Sequence, residues 1–219
     1  MCNATGIIFG ATALAPRDVE GKRVIEVGAY DVNGSLRPVL MRWKPAEYIG
    51  VDIVAGPGVD VICPAEALRD RFSEASFDVV LSTEMLEHVL DWRQTVNNLK
   101  SLCKPGGLLL ITTRSIGVAY HGFPYDFWRF QLSDFEEIFS DFTIENLEED
   151  KLAPGVFLKA RRPDDYQAKD LTDLAVFSII TKSRVRNVPP NQIRRFNFMY
   201  RLRLPVIKVG EKIASVFTP

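Results

Sequence analysis

Three groups of residues combine side chains and turns that can do chemistry. The first is the run Val24-Ile-Glu-Val-Gly-Ala-Tyr-Asp-Val-Asn-Gly34, followed by Tyr48-Ile-Gly-Val-Asp52. An apolar strand ends at Gly28, where the backbone must turn sharply. Gly34 opens the next helix, whose unpaired N–H groups and positive end favour an acid. Asp52 closes the second apolar run, placed to accept hydrogen bonds from a ribose diol. The second group is Ser82-Thr-Glu-Met-Leu-Glu-His88, which puts hydroxyls, carboxylates and an imidazole after another apolar run. His88 is either a general base or a helix residue bonded to a backbone carbonyl. The third group is His121-Gly-Phe-Pro-Tyr-Asp-Phe-Trp-Arg129. An imidazole with an unperturbed pKa of about 6.5 suits a general base, and Asp126 stands where it can orient the ring. Tyr125 and Trp128 offer ring faces and Arg129 a cation. That mixture suits a sugar, whose CH faces stack on rings and whose hydroxyls need polar partners. The plainer reading is an aromatic packing loop with Asp126 and Arg129 paired.

The elements that must position these groups follow from short apolar runs bounded by turn residues. Strands are expected over 23–28, 47–52, 59–62, 77–82 and 107–113. Helices are expected from Ser35 to Trp43 with Pro38 in the first turn, over 65–72, and from Asp91, as N-cap, to Cys103. Trp92, Val96, Leu99 and Cys103 repeat at helical spacing and read as core. Lys104-Pro-Gly-Gly107 ends that helix. Strand–helix alternation with apolar strands argues a parallel sheet covered on both faces. After an aromatic loop over 118–130, Ser133 or Asp134 caps a short helix to Phe139. Phe142–Glu149 and Gly155–Arg161 then read as a closing antiparallel pair.

Residues 166–219 stand apart by charge: ten Lys and Arg face only Asp170, Asp173 and Glu211, or +7, against −8 for the rest of a chain whose net charge is −1. Leu171, Leu174, Ala175, Phe177 and Ile180 suggest a helical stripe. The expected division is therefore 1–162 and a basic helical extension over 163–219. The extension reads as a solvated face, a subunit interface that would pair two copies, an acceptor lid or a surface drawn to anionic lipid. The near-neutral charge gives no case for nucleic acid. Cys2, Cys63 and Cys103 are scattered and lack metal-ligand spacing, which fits a reducing, cytoplasmic setting. No basic residue precedes Arg17, so no signal peptide is expected, and no apolar run reaches a membrane span of roughly 18 residues.

The order Glu26-Val-Gly28, Asp52, Phe77-Asp78-Val-Val-Leu-Ser82, Glu87-His88-Val89, Leu102-Cys-Lys-Pro-Gly-Gly107 and Leu108–Thr112 resembles the class I S-adenosylmethionine-dependent methyltransferases, most of all the small-molecule group called type 11. The resemblance covers about 20–162. It implies a Rossmann-like, mostly parallel seven-stranded sheet with helices on both faces and an antiparallel last strand. It implies that Glu26, Gly28, Tyr30, Asp31, Gly34, Asp52, Ile53, Ala65, Glu66, Ser82 and Thr83 border S-adenosylmethionine, with Asp52 on the ribose. The family's usual loop is Glu/Asp-x-Gly-x-Gly-x-Gly; here Ala29–Asn33 replace the middle glycines. Relatives often carry Asp-Ala-Glu beside the adenine where this chain has Cys63-Pro-Ala-Glu66.

The implied reaction is displacement at the sulfonium methyl, in which positioning is the protein's main contribution. His121 is then the first choice of base, with Asp126 orienting it and His88 in reserve. Glu84, Tyr125, Trp128 and Arg129 would hold the acceptor. Relatives sharing the Asp-Val-Asn-Gly and Tyr-Asp-Phe-Trp-Arg-Phe style are often glycan-associated, which points to a sugar or glycan hydroxyl. N- or C-methylation of a small metabolite, or a non-catalytic partner keeping the fold, are the alternatives. A divalent ion on Glu84, Glu87 or Asp126 would also acidify a hydroxyl, but the sequence does not require one.

Overall fold

The computed structural model describes residues 3–122 and 125–202. Cys2, Phe123, Pro124 and the charged residues Arg203, Lys208, Glu211 and Lys212 lie outside them. In chain order the elements are α1 (Ala4–Ala13), α2 (Pro16–Val19), β1 (Arg23–Val27), α3 (Arg37–Met41), β2 (Glu47–Asp52), β3 (Val61–Ile62), β4 (Phe77–Thr83), α4 (Trp92–Leu102), β5 (Cys103–Arg114), β6 (Trp128–Arg129), α5 (Leu132–Ile138), β7 (Thr143–Glu149), β8 (Gly155–Arg161), β9 (Val176–Ser178) and β10 (Ser183–Val185). A final helix covers 190–202 among the described residues.

Seven strands form one sheet in the order β3-β2-β1-β4-β5-β8-β7. The first five run parallel, and β8 lies antiparallel between β5 and β7. Alternate side chains along each strand feed two cores. On one face Ile25, Val27, Val80, Leu109 and Ile111 pack under α4 and α5. On the other, Val24, Val79, Leu81, Leu108 and Leu110 meet Phe9, Leu14, Leu36 and Leu40 of the N-terminal helices. This doubly covered α/β sheet is the expected one, and it places the carboxyl ends of β1, β2 and β4 side by side.

The α4 helix matches its sequence pattern. The Asp91 carboxylate accepts the Gln94 N–H at 3.0 Å, and Trp92, Val96, Leu99 and Cys103 are fully buried. Lys104–Gly107 loop out between the pairs Phe77–Cys103 and Val79–Leu108, with Gly106 at φ +70°.

Several expectations need correction. The helix after β1 is only Arg37–Met41, and Ala65–Asp70 is a 3-10 turn rather than an α-helix. The N-cap of α5 is Gln131, not Ser133 or Asp134; the Asp134 carboxylate closes the cap by accepting the Gln131 N–H at 2.8 Å.

The stripe over 171–180 is not a helix. Val176-Phe177-Ser178 pairs with Trp128-Arg129 on one side and Ser183-Arg184-Val185 on the other, forming a small antiparallel sheet. Strand-favouring Val and Phe satisfy the open backbone of the aromatic loop, and that tertiary pairing overrides the helical spacing. Leu171, Val176 and Val188 sit in the main core. The Arg93 guanidinium clamps the segment by donating to the carbonyls of Leu171 and Arg186, each at 2.7 Å, and to that of Leu174. Part of the extension's positive charge is met within the chain: Arg184 pairs with Asp134, Arg186 with Asp173 and Lys169 with Glu137.

Candidate functional site

A cleft opens at the carboxyl ends of β1, β2 and β4. Val27, Gly28 and Tyr30 form one wall, Val51–Val54 the next, Cys63 and Ala65 a third, and Glu84, Met85, His88 and Val89 the fourth. Gly28 has φ +85°, and a Cβ there would stand 2.5 Å from Met85 Cβ. Only glycine lets these two walls come together. Ile53 and Val54 are large apolar residues left about half exposed along the rim, which suits the flat face of a base.

Asp52 anchors the loop after β1. Its carboxylate accepts the Tyr30 N–H at 3.1 Å and its neighbour Ile53's at 2.7 Å, so its orientation is fixed before any ligand arrives. Opposite, the side-chain amide of buried Asn98 on α4 donates to the carbonyls of Ala65 and Glu66, both at 2.8 Å, and pins the Cys63–Glu66 turn.

Of the residues expected at the cofactor, Gly28, Tyr30, Asp52, Ile53 and Ala65 line this cleft, and so do Glu84 and His88. The others lie elsewhere. Glu26 is buried behind the strand end, where its carboxylate accepts the Tyr48 hydroxyl at 2.6 Å. Burial pushes its pKa up to about 7, against the lowering effect of that bond. Asp31 turns into its own loop, accepting the Gly34 N–H at 2.9 Å. That bond occupies the N–H expected to face an acid, and the helix starts three residues later, so Gly34 serves the turn. Glu66 is half-buried, offering its carbonyl to Asn98, and Ser82 and Thr83 are buried within β4. Cys63 lines the cleft too, within the Cys63–Glu66 run set beside the adenine; the lining residues given no role from the sequence are apolar, Val27, Val51, Val54, Met85 and Val89.

Next to the cleft lies a polar cluster. Glu87 is fully buried; Thr113 donates its hydroxyl to Oε2 at 2.9 Å, and Oε1 faces His121 Nε2 at 3.7 Å and His88 Nε2 at 3.9 Å. Burial alone would raise the Glu87 pKa, but the two imidazoles and Thr113 overcome it and hold the carboxyl down at about 2. Glu84, also buried and beside Glu87, is raised by burial and by that second carboxylate, although Arg114 pairs with it. Arg114 reaches on to Asp150 at 3.3 Å.

His88 Nδ1 lies 2.6 Å from the Tyr125 carbonyl, the backbone bond anticipated as its plainer role. His121 Nδ1 sits 3.1 Å from both Asp126 Oδ2 and the Ala119 carbonyl. The Asp126 carboxylate at 3.1 Å and the Glu87 carboxylate at 3.7 Å, opposed by desolvation, lift the His121 pKa to about 10. A pKa raised by these carboxylates works against the ring's expected part as the resting general base.

The aromatic loop is mostly structural. Asp126 and Arg129 are buried and joined by two bonds of 2.5 and 2.6 Å. Trp128 is 1% exposed, with its indole N–H on the Val89 carbonyl at 2.9 Å. Neither Trp128 nor Arg129 can reach an acceptor in this arrangement. Of the four residues expected to hold it, Glu84 lines the cleft and Tyr125 presents an exposed ring.

Residues 9–150 match the profile of a family described as a methyltransferase domain. The chain belongs to that family. This methyltransferase domain is also similar to curated proteins named ubiquinone biosynthesis O-methyltransferase. The one from Idiomarina loihiensis is 36% identical over 107 residues, 42% of each chain. The one from Brucella ovis is 32% identical over 136 residues, 53% of each. The chain spans about half the length of the curated relatives it matches.

Among solved structures, the 1,6-didemethyltoxoflavin-N1-methyltransferase of Burkholderia thailandensis, with bound 1,6-didemethyltoxoflavin and S-adenosylhomocysteine, superposes at TM-score 0.58. The identity is 16%, covering 73% of this chain and 79% of that one. An S-adenosylmethionine-dependent methyltransferase from Mesorhizobium loti gives 0.55 at 18% identity, over 72% and 98%. These likenesses concern the fold. Among the described residues no helix is long and apolar enough to cross a membrane.

Proposed function

We propose that the chain binds S-adenosylmethionine in the cleft between Gly28, Asp52 and Ala65 and methylates an oxygen of a small acceptor. The observation that carries this reading is the cleft itself. Gly28 at φ +85° lets Met85 close on the end of β1, Asp52 holds a pre-oriented carboxylate at the end of β2, and Ile53, Val54 and Ala65 offer apolar surface for a base. Family membership and the names of the curated relatives support the same chemistry.

When bound, S-adenosylmethionine supplies an electrophilic methyl group on sulfur. The chain's own part is binding and alignment. Asp52 is the group for the ribose diol, and the Gly28 turn admits the backbone closely. Glu84, His88 and Met85 border the side from which an acceptor would approach. With Trp128 and Arg129 buried, a sugar acceptor is supported only by the Tyr125 ring and the nearby polar groups. A sugar hydroxyl therefore enters as one member of the hydroxyl class alongside phenols. The alternative is methylation of an amine, since a neutral amine carries its own lone pair and needs no base.

The test is methyl transfer from labelled S-adenosylmethionine to panels of sugars, phenols and amines. Transfer to hydroxyls is expected. Transfer to amines alone overturns the oxygen reading, and none with any panel overturns the catalytic one.

A further inference from the structure

We propose that Glu87, His88 and His121 form a binding site for one divalent transition-metal ion. Each of the three offers one ligand atom, and these atoms all lie within 4.8 Å of one another; Glu87 Oε1 faces His121 Nε2 at 3.7 Å and His88 Nε2 at 3.9 Å. Two histidines and one carboxylate with room for further ligands is the donor set of non-haem iron, and imidazole also suits zinc and its neighbours. Magnesium and calcium prefer oxygen donors.

The surroundings are those of a ligand set. Each atom that would face the ion is left over after the rest of its side chain has been fixed. His88 Nδ1 is engaged by the Tyr125 carbonyl at 2.6 Å, and His121 Nδ1 by Asp126 and the Ala119 carbonyl, each at 3.1 Å. Those bonds place the ring N–H on Nδ1 and leave Nε2 to coordinate, with Asp126–His121 forming the carboxylate–histidine pair that orients metal ligands. Glu87 Oε2 is held by Thr113 at 2.9 Å. Glu87 Oε1 and His88 Nε2 are buried and make no hydrogen bond. At 3.7 and 3.9 Å the Nε2–Oε1 approaches are too long for hydrogen bonds. They are also slightly wider than ligands at about 2.1 Å from a shared centre, so an ion would draw them in.

A fully buried carboxylate with one oxygen bonded and the other aimed between two imidazoles calls for a cation. The site adjoins the cleft through His88. Its part in catalysis rests on the oxygen-methylation reading: a bound ion would acidify an acceptor hydroxyl. Ion binding itself does not depend on that reading.

The test uses the untagged full chain after chelator treatment. Zn²⁺ and Mn²⁺ are titrated calorimetrically and Co²⁺ by visible absorption, with S-adenosylhomocysteine titrated separately. One equivalent is expected to bind, at least tenfold more weakly in His121→Ala and in Glu87→Gln. Thr113→Val, which removes only the outer hydroxyl, should weaken binding about tenfold. His121→Ala sits at a half-buried loop position and carries the test if Glu87→Gln fails to fold. Absence of binding, equal affinity in His121→Ala and the parent, or a Co²⁺–thiolate band marking cysteine ligation would overturn the site. Failure to bind S-adenosylhomocysteine would count against the methyltransferase reading and leave the metal result standing.

Discussion

Glu26 gives the fold a pH dependence that one substitution should remove. Its carboxyl is fully buried behind the cleft, and burial outweighs the Tyr48 hydrogen bond, lifting the pKa from 4.5 to about 7. A carboxyl raised on folding favours the native state below its unfolded pKa, and that contribution is lost as pH rises through the folded value. Between pH 4.5 and about 7, folding therefore holds a proton that the unfolded chain releases. The displacement corresponds to about 3 kcal/mol at pH 8 relative to pH 4. Glu26→Gln keeps an oxygen for the Tyr48 hydroxyl and removes the ionisation. Whatever fixed cost its NH₂ adds does not vary with pH. Denaturant unfolding of both proteins from about pH 4 to about pH 8 isolates the effect, because every other titrating group cancels in the difference. The variant is expected to gain roughly 3 kcal/mol on the parent across that range. Parallel curves would refute the claim that burial governs this carboxyl.

Three further substitutions test the structure at separate points. Gly28→Ala places a Cβ 2.5 Å from Met85 Cβ at φ +85°; strain and overpacking together should cost about 2–5 kcal/mol and weaken S-adenosylhomocysteine binding more than about tenfold, so an unchanged melt and unchanged titration would contradict the cleft geometry. Asn98→Ala frees the Ala65 and Glu66 carbonyls and should weaken cofactor binding by about 1–2 kcal/mol while leaving kcat with saturating cofactor near the parent's; an unchanged cofactor KM would remove Asn98 as a positioning residue. Lys100 is fully buried, with Nζ on the Ile138 carbonyl at 2.5 Å and on Asp141 at 2.6 and 2.8 Å. Lys100→Met strands that carboxylate and should cost about 3–5 kcal/mol, lowering Tm by roughly 10 °C in calorimetry; a drop under about 3 °C would show the pair to be dispensable.

The sheet was legible because its strands are short apolar runs between turn residues, and because Trp92, Val96, Leu99 and Cys103 mark α4 at helical spacing. Gly28 and Asp52 stand at strand ends in the sequence, and the structure puts both in the cleft lining. The aromatic loop was not. Trp128, Asp126 and Arg129 have residue types that serve a ligand or a packed core equally well, and burial, which decides between them, is a tertiary property. The strands at 176–178 and 183–185 escaped because Leu171, Leu174, Phe177 and Ile180 mimic a helical stripe. Their true partner, Trp128-Arg129, lies about fifty residues away in the chain. The raised pKa of His121 was hidden for the same reason, since it depends in part on Glu87 arriving from a different segment. The cleft's apolar lining has no side-chain chemistry that marks it as a site in the sequence.

The central claim is that Asp52 and its neighbours hold the nucleoside of S-adenosylmethionine. Isothermal titration of S-adenosylmethionine into the chain and into Asp52→Asn tests it most directly, with circular dichroism confirming that both are folded. The account predicts one binding event in the parent and a loss of about 1.5–3 kcal/mol, roughly 10- to 150-fold in Kd, in the variant. No binding at millimolar cofactor, or equal affinity in the two proteins, would contradict it.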